Sequence, residues 1–231
     1  MAEAPYQPTE RRPIAARRWP IWQHTATWLA RRGVSPNGIS LAGMGCGIAA
    51  GAALAATAHA TGWEQHLAWL AAATLIQFRL LANLLDGMVA FESGRASPIG
   101  ELYNEIPDRV SDTAILIGAG FAIGGDLTLG YLAACAALFT AYVRAMGKAA
   151  GAPQEYCGPM AKPHRMALLT VVALYGGLAP RDWQPTWQWS WDGVPGRGLI
   201  AAGLLIVALG GLLTAIRRLA RIAANLKKSK P

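Results

Sequence analysis

Asn83, Asp86, Asn104 and Asp108 put carboxamide and carboxylate oxygens at short intervals, where a membrane-length apolar segment ends. Arg79, Asn83, Asp86 and Ala90 follow one another at spacings of four, three and four, so a helix carries them near one face. Asn104, Asp108 and Asp112 repeat every four residues and share a second face if their stretch is helical. Oxygen donors at such spacing suit a hard divalent cation such as Mg²⁺. A cation held at a membrane surface suits chemistry on a phosphate-bearing lipid headgroup. The competing reading is a structural Arg79–Asp86 pair that locks helix packing. Ionisable residues inside an apolar helix point to function by default, facing the bundle interior or a wet cavity. Gly87 removes a side chain beside Asp86 and lets a bulky headgroup approach the backbone.

Pro107 decides how Asn104 is held. A proline sits in the first turn of a helix or kinks its interior. If the helix starts near Pro107, Asn104 is a loop or cap residue; if it starts earlier, Asn104 is a helical ligand. Glu101 and Glu105 read as solvated loop acids, Glu105 being the nearer spare ligand.

The elements that position these side chains are membrane spans. The chain has 231 residues, 53% hydrophobic and 15% charged, with 26 glycines, which is too apolar for an ordinary soluble domain. Its net charge of +8 lies between apolar blocks rather than along one face, so the expected partners are anionic membrane lipids and not nucleic acid. Cys46, Cys135 and Cys157 make no metal-ligand spacing and read as small packing residues. The first thirty residues contain no signal-peptide core, so the expectation is a membrane-embedded, unprocessed chain.

Crossing the hydrocarbon takes about 20 apolar residues as helix. Candidates lie at 36–57, 66–86, 109–126, 128–147, 164–180 and 197–217, the third and fifth near the short limit. Backbone groups in lipid have to be satisfied internally, and no strand-like alternation competes, so the fold class is an all-α integral membrane protein with six transmembrane helices. The tight connection at 124–129 makes the third and fourth spans an antiparallel hairpin. Residues 14–33 mix arginines with Trp19, Trp22 and Trp28 and read as an N-terminal amphipathic surface helix, starting near Pro20. The expected organisation is a basic segment over 1–35, a six-helix catalytic domain over 36–217 and a basic tail over 218–231.

Basic residues cluster before the first span (Arg11, Arg12, Arg17, Arg18, Arg31, Arg32), in the second and fourth loops, and after the last span (Arg217, Arg218, Arg221, Lys227, Lys228, Lys230). The positive-inside rule makes both termini and the even loops cytoplasmic. Trp183, Trp187, Trp189 and Trp191 then form an interfacial belt on the outer face. Gly43, Gly47 and Gly51 recur every fourth residue on the first span and let another helix approach closely, within the bundle or between subunits.

The arrangement resembles the CDP-alcohol phosphotransferase family. Its signature runs Asp-x₂-Asp-Gly-x₂-Ala-Arg, eight or nine residues, then Gly-x₃-Asp-x₃-Asp. Asp86, Gly87, Ala90, Gly100 and Asp108 match it, and the resemblance extends to the spans, the surface helix, Ser35-Pro36-Asn37 at the head of the first span and the basic fourth loop. Asn83 and Asn104 stand where the family has its first and third aspartates, and Phe91 where it has arginine.

The resemblance implies an enzyme that transfers a phosphatidyl group from CDP-diacylglycerol to a small alcohol or alcohol phosphate, with release of CMP, at the cytoplasmic face of the inner membrane. It implies Mg²⁺ or Mn²⁺ held by Asn83, Asp86, Asn104 and Asp108, with Asp108 as the catalytic base. Two lost carboxylates favour one metal, or two bound weakly, because affinity is tuned partly by ligand charge. The implied nucleotide and lipid contacts are Gly87, Ala90, Gly100, Asp112 and Arg95, the last in place of the missing arginine. Arg144, Lys162 and Arg165 in the fourth loop are the implied acceptor ligands, clamping a phosphate. The competing reading of those cations is ordinary positive-inside charge. A homodimer is expected from the family. Two further readings stand beside the enzyme: a degenerate member that binds CDP-lipid or regulates a lipid synthase, favoured by Asn83, Asn104 and Phe91, and a small transporter, disfavoured by the lack of an internal repeat.

Overall fold

The computed structural model describes residues 15–188 and 196–228. Those residues form a helical protein: α1 (Pro20–Arg31), α2 (Pro36–Ala56), α3 (Gly62–Glu92), α4 (Pro98–Phe121), α5 (Leu127–Ala149), α6 (Lys162–Leu178) and α7 (Leu199–Lys228). Short 3₁₀ turns lie at Ala15–Arg18 and Arg181–Trp183. Among the described residues the one β contact is an isolated antiparallel bridge between Trp187 and Arg197.

Four helices, α2, α3, α5 and α7, are long and apolar enough to cross a membrane. The two that fall outside that set are the spans expected to be marginal. α6 is 17 residues long. α4 carries Glu101, Glu105, Asp108, Arg109 and Asp112, which lower its apolarity whatever its length. The chain is therefore an all-helical membrane protein with four apolar helices of spanning length, and a count of six rests on α4 and α6. Helix α3 extends past the expected 66–86 at both ends. α7 continues to Lys228, so the basic stretch after 217 prolongs the last helix.

The chain divides into two compact units, one made of Met1–Ile48 and Gln77–Ser111, the other of Ala49–Ile76 and Asp112–Pro231. In the first unit, α1 follows the 3₁₀ turn with Pro20 in its first turn, where a missing N–H costs nothing. Its Ala26 is fully buried against Leu85 and Val89 of α3, with Leu29, Ala30, Ile39, Leu81 and Met88 around them. Trp19, Ile21 and Trp28 stay exposed, and the Arg32 guanidinium lies 4.9 Å from the Trp28 ring centroid. That is the face an interfacial helix offers a leaflet. Gly43 and Gly47 bring α2 close to its neighbours: a Cβ on Gly47 would lie 2.5 Å from Ser111 Cβ, and one on Gly43 2.8 Å from Ala82 Cβ.

In the second unit, a Cβ on Gly51 would lie 2.3 Å from the Ala114 carbonyl oxygen. The glycine stripe on α2 thus packs against α3 and α4 of the same chain, which settles the alternative left open by its spacing. Asp126 caps α5 through the Leu129 N–H at 2.9 Å and pairs with Arg197 at 2.6 Å. The turn between α4 and α5 includes Gly124 at φ 69°, a conformation that favours glycine. α5 and α7 pack so closely that a Cβ on Gly147 would meet Ile222 Cδ1 at 2.5 Å. Arg218 of α7 donates to the carbonyls of Thr140 at 3.0 Å and Cys157 at 2.9 Å, tying α5 and the following loop to the last helix. Trp183 is exposed and Trp187 half-buried, while Trp189 and Trp191 lie outside the described residues.

Candidate functional site

Residues 79, 83 and 86 of α3 and residues 104, 107, 108 and 111 of α4 line one cleft in the first unit, together with Ser40, Gly43 and Met44 of α2. The helical periodicity expected for α3 holds: Arg79, Asn83 and Asp86 project to the same cleft. On α4 the open question resolves toward a helix that starts early. It begins at Pro98, with Pro107 in its interior, so Asn104 is a helical residue. Asn104 and Asp108 then lie one turn apart on the same face.

Charged and carboxamide side chains line the cleft beside Gly43, Met44 and Pro107. Asp86 is 3% exposed and Arg79 1%. Arg79 Nη2 pairs with Asp108 Oδ1 at 3.1 Å and also donates to the Asp108 carbonyl oxygen at 3.2 Å. Asn83 Nδ2 donates to Asn104 Oδ1 and to Asp108 Oδ1, each at 3.0 Å. Asp86 Oδ2 accepts from Ser40 Oγ at 2.7 Å, and its Oδ1 accepts from Gly87 N and, at 3.5 Å, from Asn104 Nδ2. Arg109 Nη2 lies 3.3 Å from Glu105 Oε1 and 3.8 Å from Asp108 Oδ2. Glu105 is thereby tied to its own helix rather than turned into the cleft.

The donor set can be weighed against a divalent metal directly. Hard carboxylate and carboxamide oxygens from Asn83, Asp86, Asn104 and Asp108 converge on a cavity of about 10 Å³, near the room one water needs. An asparagine presents oxygen or nitrogen to the same point by a half-turn of its amide. These residues fit a single divalent cation with oxygen ligands. Two of the four donors are carboxylates, and among the described residues no three of His, Cys, Asp and Glu gather as a metal-binding group.

The remaining expected site residues lie elsewhere. Gly87 sits beside Asp86; a Cβ there would have Arg17 Nη2 as its nearest neighbour, at 3.8 Å. Ala90 is partly buried on α3, and Arg95 is exposed after the positive-φ turn at Gly94. Gly100 lies in the first turns of α4, its N–H bonded to Ser97 Oγ at 3.0 Å. Phe91 is 58% exposed.

In the second unit, Asp112 and Arg165 were given to different ligands, and the structure joins them. Arg165 Nη2 meets Asp112 Oδ2 at 3.1 Å with both side chains 2% exposed, and Arg165 Nη1 donates to the Met160 carbonyl at 3.0 Å. Arg144 is partly buried with its guanidinium 5.5 Å from the Tyr156 ring centroid, and Lys162 opens α6.

Sequence reasoning missed Ser40 and Arg17. A lone hydroxyl among glycines and alanines on α2, three residues before Gly43, was the available signal for the first. Arg17 carried no signal separable from the neighbouring arginines.

Comparison with known proteins matches the same elements. The family model for CDP-alcohol phosphatidyltransferase covers residues 33–216. A phosphatidylinositol phosphate synthase of Streptomyces avermitilis is 30% identical over 206 residues, 85% of this chain and 75% of that protein. An archaetidylinositol phosphate synthase of Aeropyrum pernix is 33% identical over 151 residues, 64% of this chain and 72% of that protein. Crystal structures of Mycobacterium tuberculosis phosphatidylinositol phosphate synthase, one with CDP-DAG bound and one with manganese and citrate, share the fold. Each has a TM-score of 0.65 at 21% identity over 87% of this chain, covering 93% and 88% of the respective structures. This chain belongs to the CDP-alcohol phosphatidyltransferase family.

Proposed function

We propose that this family member transfers a phosphatidyl group from CDP-diacylglycerol to a phosphorylated polyol and releases CMP. The observation that carries the reading is the convergence of Asn83, Asp86, Asn104 and Asp108 on one cleft, at the cytoplasmic ends of α3 and α4 by the positive-inside rule. The names of the Streptomyces and Aeropyrum relatives support a polyol phosphate of the inositol phosphate type as acceptor.

The reaction is substitution at phosphorus. The acceptor hydroxyl oxygen forms a bond to the lipid-side phosphorus of the pyrophosphate, the bond to the CMP oxygen breaks, and CMP departs with that electron pair. Asp108 takes the hydroxyl proton; position matters more than basicity for that step. Arg79 and Asn83 hold Asp108 Oδ1, which fixes the carboxylate on α4. Ser40 fixes Asp86 in the same way. A divalent cation, Mg²⁺ or Mn²⁺, held by Asn83, Asp86, Asn104 and Asp108 would neutralise phosphate oxygens. The manganese in the Mycobacterium structure supports that choice. Gly87 leaves the backbone open to the nucleotide-lipid, and Ala90 and Gly100 are further proposed contacts.

Arg144 and Lys162 are the proposed acceptor ligands, with Arg165 acting through its pair with Asp112. Six spans, an inner-membrane location and a cytoplasmic site belong to the same reading, supported by the placement of Lys and Arg between apolar helices. A homodimer rests on the family resemblance, because the α2 glycines are used within the chain.

The test is CMP release by purified protein in detergent with CDP-diacylglycerol, Mg²⁺ or Mn²⁺, and a panel of inositol phosphate, glycerol phosphate, inositol and serine. Acceptor-dependent CMP with a phosphorylated polyol is expected. No CMP with any acceptor, from folded protein that still binds the nucleotide, leaves the regulatory reading in its place.

A further inference from the structure

We infer that Thr214 of α7 is a positioning residue for the acceptor: it fixes the α5–α6 loop, and through the loop it sets Arg144 and Lys162 for the acceptor's phosphate. The inference rests on the proposed transferase reading and deepens it. Its ground is the fit between Thr214 and residues 158–160, where one side chain holds the loop by shape and by hydrogen bond.

The hydroxyl comes first. Thr214 is fully buried. Its Oγ1 donates to the Gly210 carbonyl at 2.7 Å, one turn back on α7. A hydroxyl has one proton to give and two lone pairs. With the proton on Gly210, the oxygen is left as an acceptor, and the Met160 N–H donates to it at 3.1 Å. The Met160 carbonyl in turn accepts from Arg165 Nη1 at 3.0 Å. Both main-chain polar groups of Met160 are therefore held, two residues before Lys162 at the start of α6.

Shape restricts the loop further. Gly158 has φ 122°, a conformation that favours glycine. A Cβ there would clash with Thr214 Cγ2 and lie 2.7 Å from its Oγ1, so the loop main chain lies directly on the threonine. A Cβ on Gly210 would lie 3.0 Å from Met160 Cβ, so α7 also makes room for the methionine. Just upstream, the Cys157 carbonyl accepts from Arg218 Nε at 2.9 Å. Thr214 and Arg218 are four residues apart on one face of α7, and together they hold residues 157, 158 and 160.

The groups attached to the loop give this hold a function. Tyr156 precedes Cys157, and the Arg144 guanidinium lies 5.5 Å from the Tyr156 ring centroid, within cation–π range. A displacement of residues 157–160 moves the support of Arg144 on one side and Lys162 on the other. A shift of about 1 Å in such groups is enough to remove much of their effect. A hold that serves stability alone predicts something else: a lower melting temperature with acceptor affinity intact.

The experiment measures inositol phosphate binding to the detergent-purified full chain by isothermal titration calorimetry, without CDP-diacylglycerol, beside KM values for CMP release. Thr214→Val keeps the shape and removes the acceptor of the Met160 N–H, whereas Thr214→Ser keeps the hydroxyl. Thr214→Val is expected to weaken inositol phosphate binding about tenfold and to raise the acceptor KM to the same degree, as the loss of one hydrogen bond allows. The KM for CDP-diacylglycerol should stay within about twofold of wild type, the scale of a change remote from its contacts. Thr214→Ser should restore binding close to wild type. Gly158→Ala, which pushes the loop off α7, should weaken it at least as much as Thr214→Val.

Wild-type affinity in Thr214→Val, an equal loss in Thr214→Ser, or a matching rise in the KM for CDP-diacylglycerol overturns the proposal, as does an absence of inositol phosphate binding to wild type. If Thr214→Val does not fold, Gly158→Ala decides, and wild-type affinity there overturns the proposal. The affinities do not depend on CMP release, so failure of the transferase reading leaves them interpretable.

Discussion

Ser40 Oγ donates to Asp86 Oδ2 at 2.7 Å, joining α2 to the site carboxylate of α3 through a fully buried hydrogen bond. A hydrogen bond to a charged group is worth about 1.5–3 kcal/mol. The Ser40→Ala protein is expected to keep its helix, because alanine is the strongest helix former. Asp86 loses one of the donors that orient it. The expected outcome is a fall of about ten- to a hundredfold in kcat/KM for CMP release. The melting temperature by intrinsic fluorescence should stay within a few degrees of wild type. A rate equal to wild type would separate Ser40 from the site.

Gly47 and Gly87 make opposite predictions, although each is a glycine within a helix. A Cβ on Gly47 would lie 2.5 Å from Ser111 Cβ and 2.9 Å from Ser111 Cα, so a main chain has to move. Overpacking of that kind costs about 1–3 kcal/mol. Gly47→Ala is therefore expected to reduce folded yield and thermal stability. On Gly87 the nearest atom, Arg17 Nη2, is 3.8 Å away, which is ordinary contact. Gly87→Ala should fold like wild type and lose turnover by obstructing the headgroup. Size-exclusion profiles beside CMP-release rates read both arms, and the two variants should fail in different columns.

The sequence made the α3 half of the site legible because a helix there is continuous, and its period alone places Arg79, Asn83 and Asp86 together. It left α4 ambiguous because Pro107 has two meanings, and only the packing of the helix from Pro98 onward chooses between them. The expected Arg79–Asp86 lock concerned residues seven apart on one helix. The structure gives Arg79 a partner on α4, Asp108, a choice that no spacing within α3 could express. Asp112 reads as a ligand from its spacing of four after Asp108, and Arg165 from its place in the basic fourth loop. Their pairing across 53 positions is tertiary information. Gly43, Gly47 and Gly51 announced a close approach but not its partner, since small residues serve internal and external interfaces alike.

The Asp112–Arg165 pair separates stability from substrate binding. Both side chains are 2% exposed, and Arg165 Nη1 is also bonded to the Met160 carbonyl at 3.0 Å. Removing one partner of a buried pair costs about 3–5 kcal/mol, because the other charge is left uncompensated. Arg165→Ala is expected to unfold at markedly lower temperature or to aggregate on extraction. Replacing both partners by apolar residues, Asp112→Leu with Arg165→Met, should recover a large part of that stability. If Arg165→Ala instead raises the acceptor KM at unchanged stability, Arg165 contacts the acceptor directly.

Arg17 and Arg95 compete for the role left by Phe91. An anion drawn to the nucleotide-lipid pocket needs a cation near the glycine that opens the backbone, and the guanidinium beside Gly87 belongs to Arg17. Arg17 is half-buried in the turn that precedes α1, whereas Arg95 is exposed beyond the end of α3. A partly buried cation is screened less by salt than an exposed one, so it holds a phosphate more firmly. Arg17→Ala is expected to raise the KM for CDP-diacylglycerol about tenfold, the size of one charge-assisted contact. Arg95→Ala should change it by less than about twofold, as expected of an exposed charge. Arg17 also lies in the basic turn before the amphipathic α1, so the measurement belongs in neutral detergent, where anionic lipid cannot contribute. There a KM effect reports the nucleotide-lipid itself. Equal KM values for Arg17→Ala and wild type in that detergent would return the role to Arg95 or to no arginine at all.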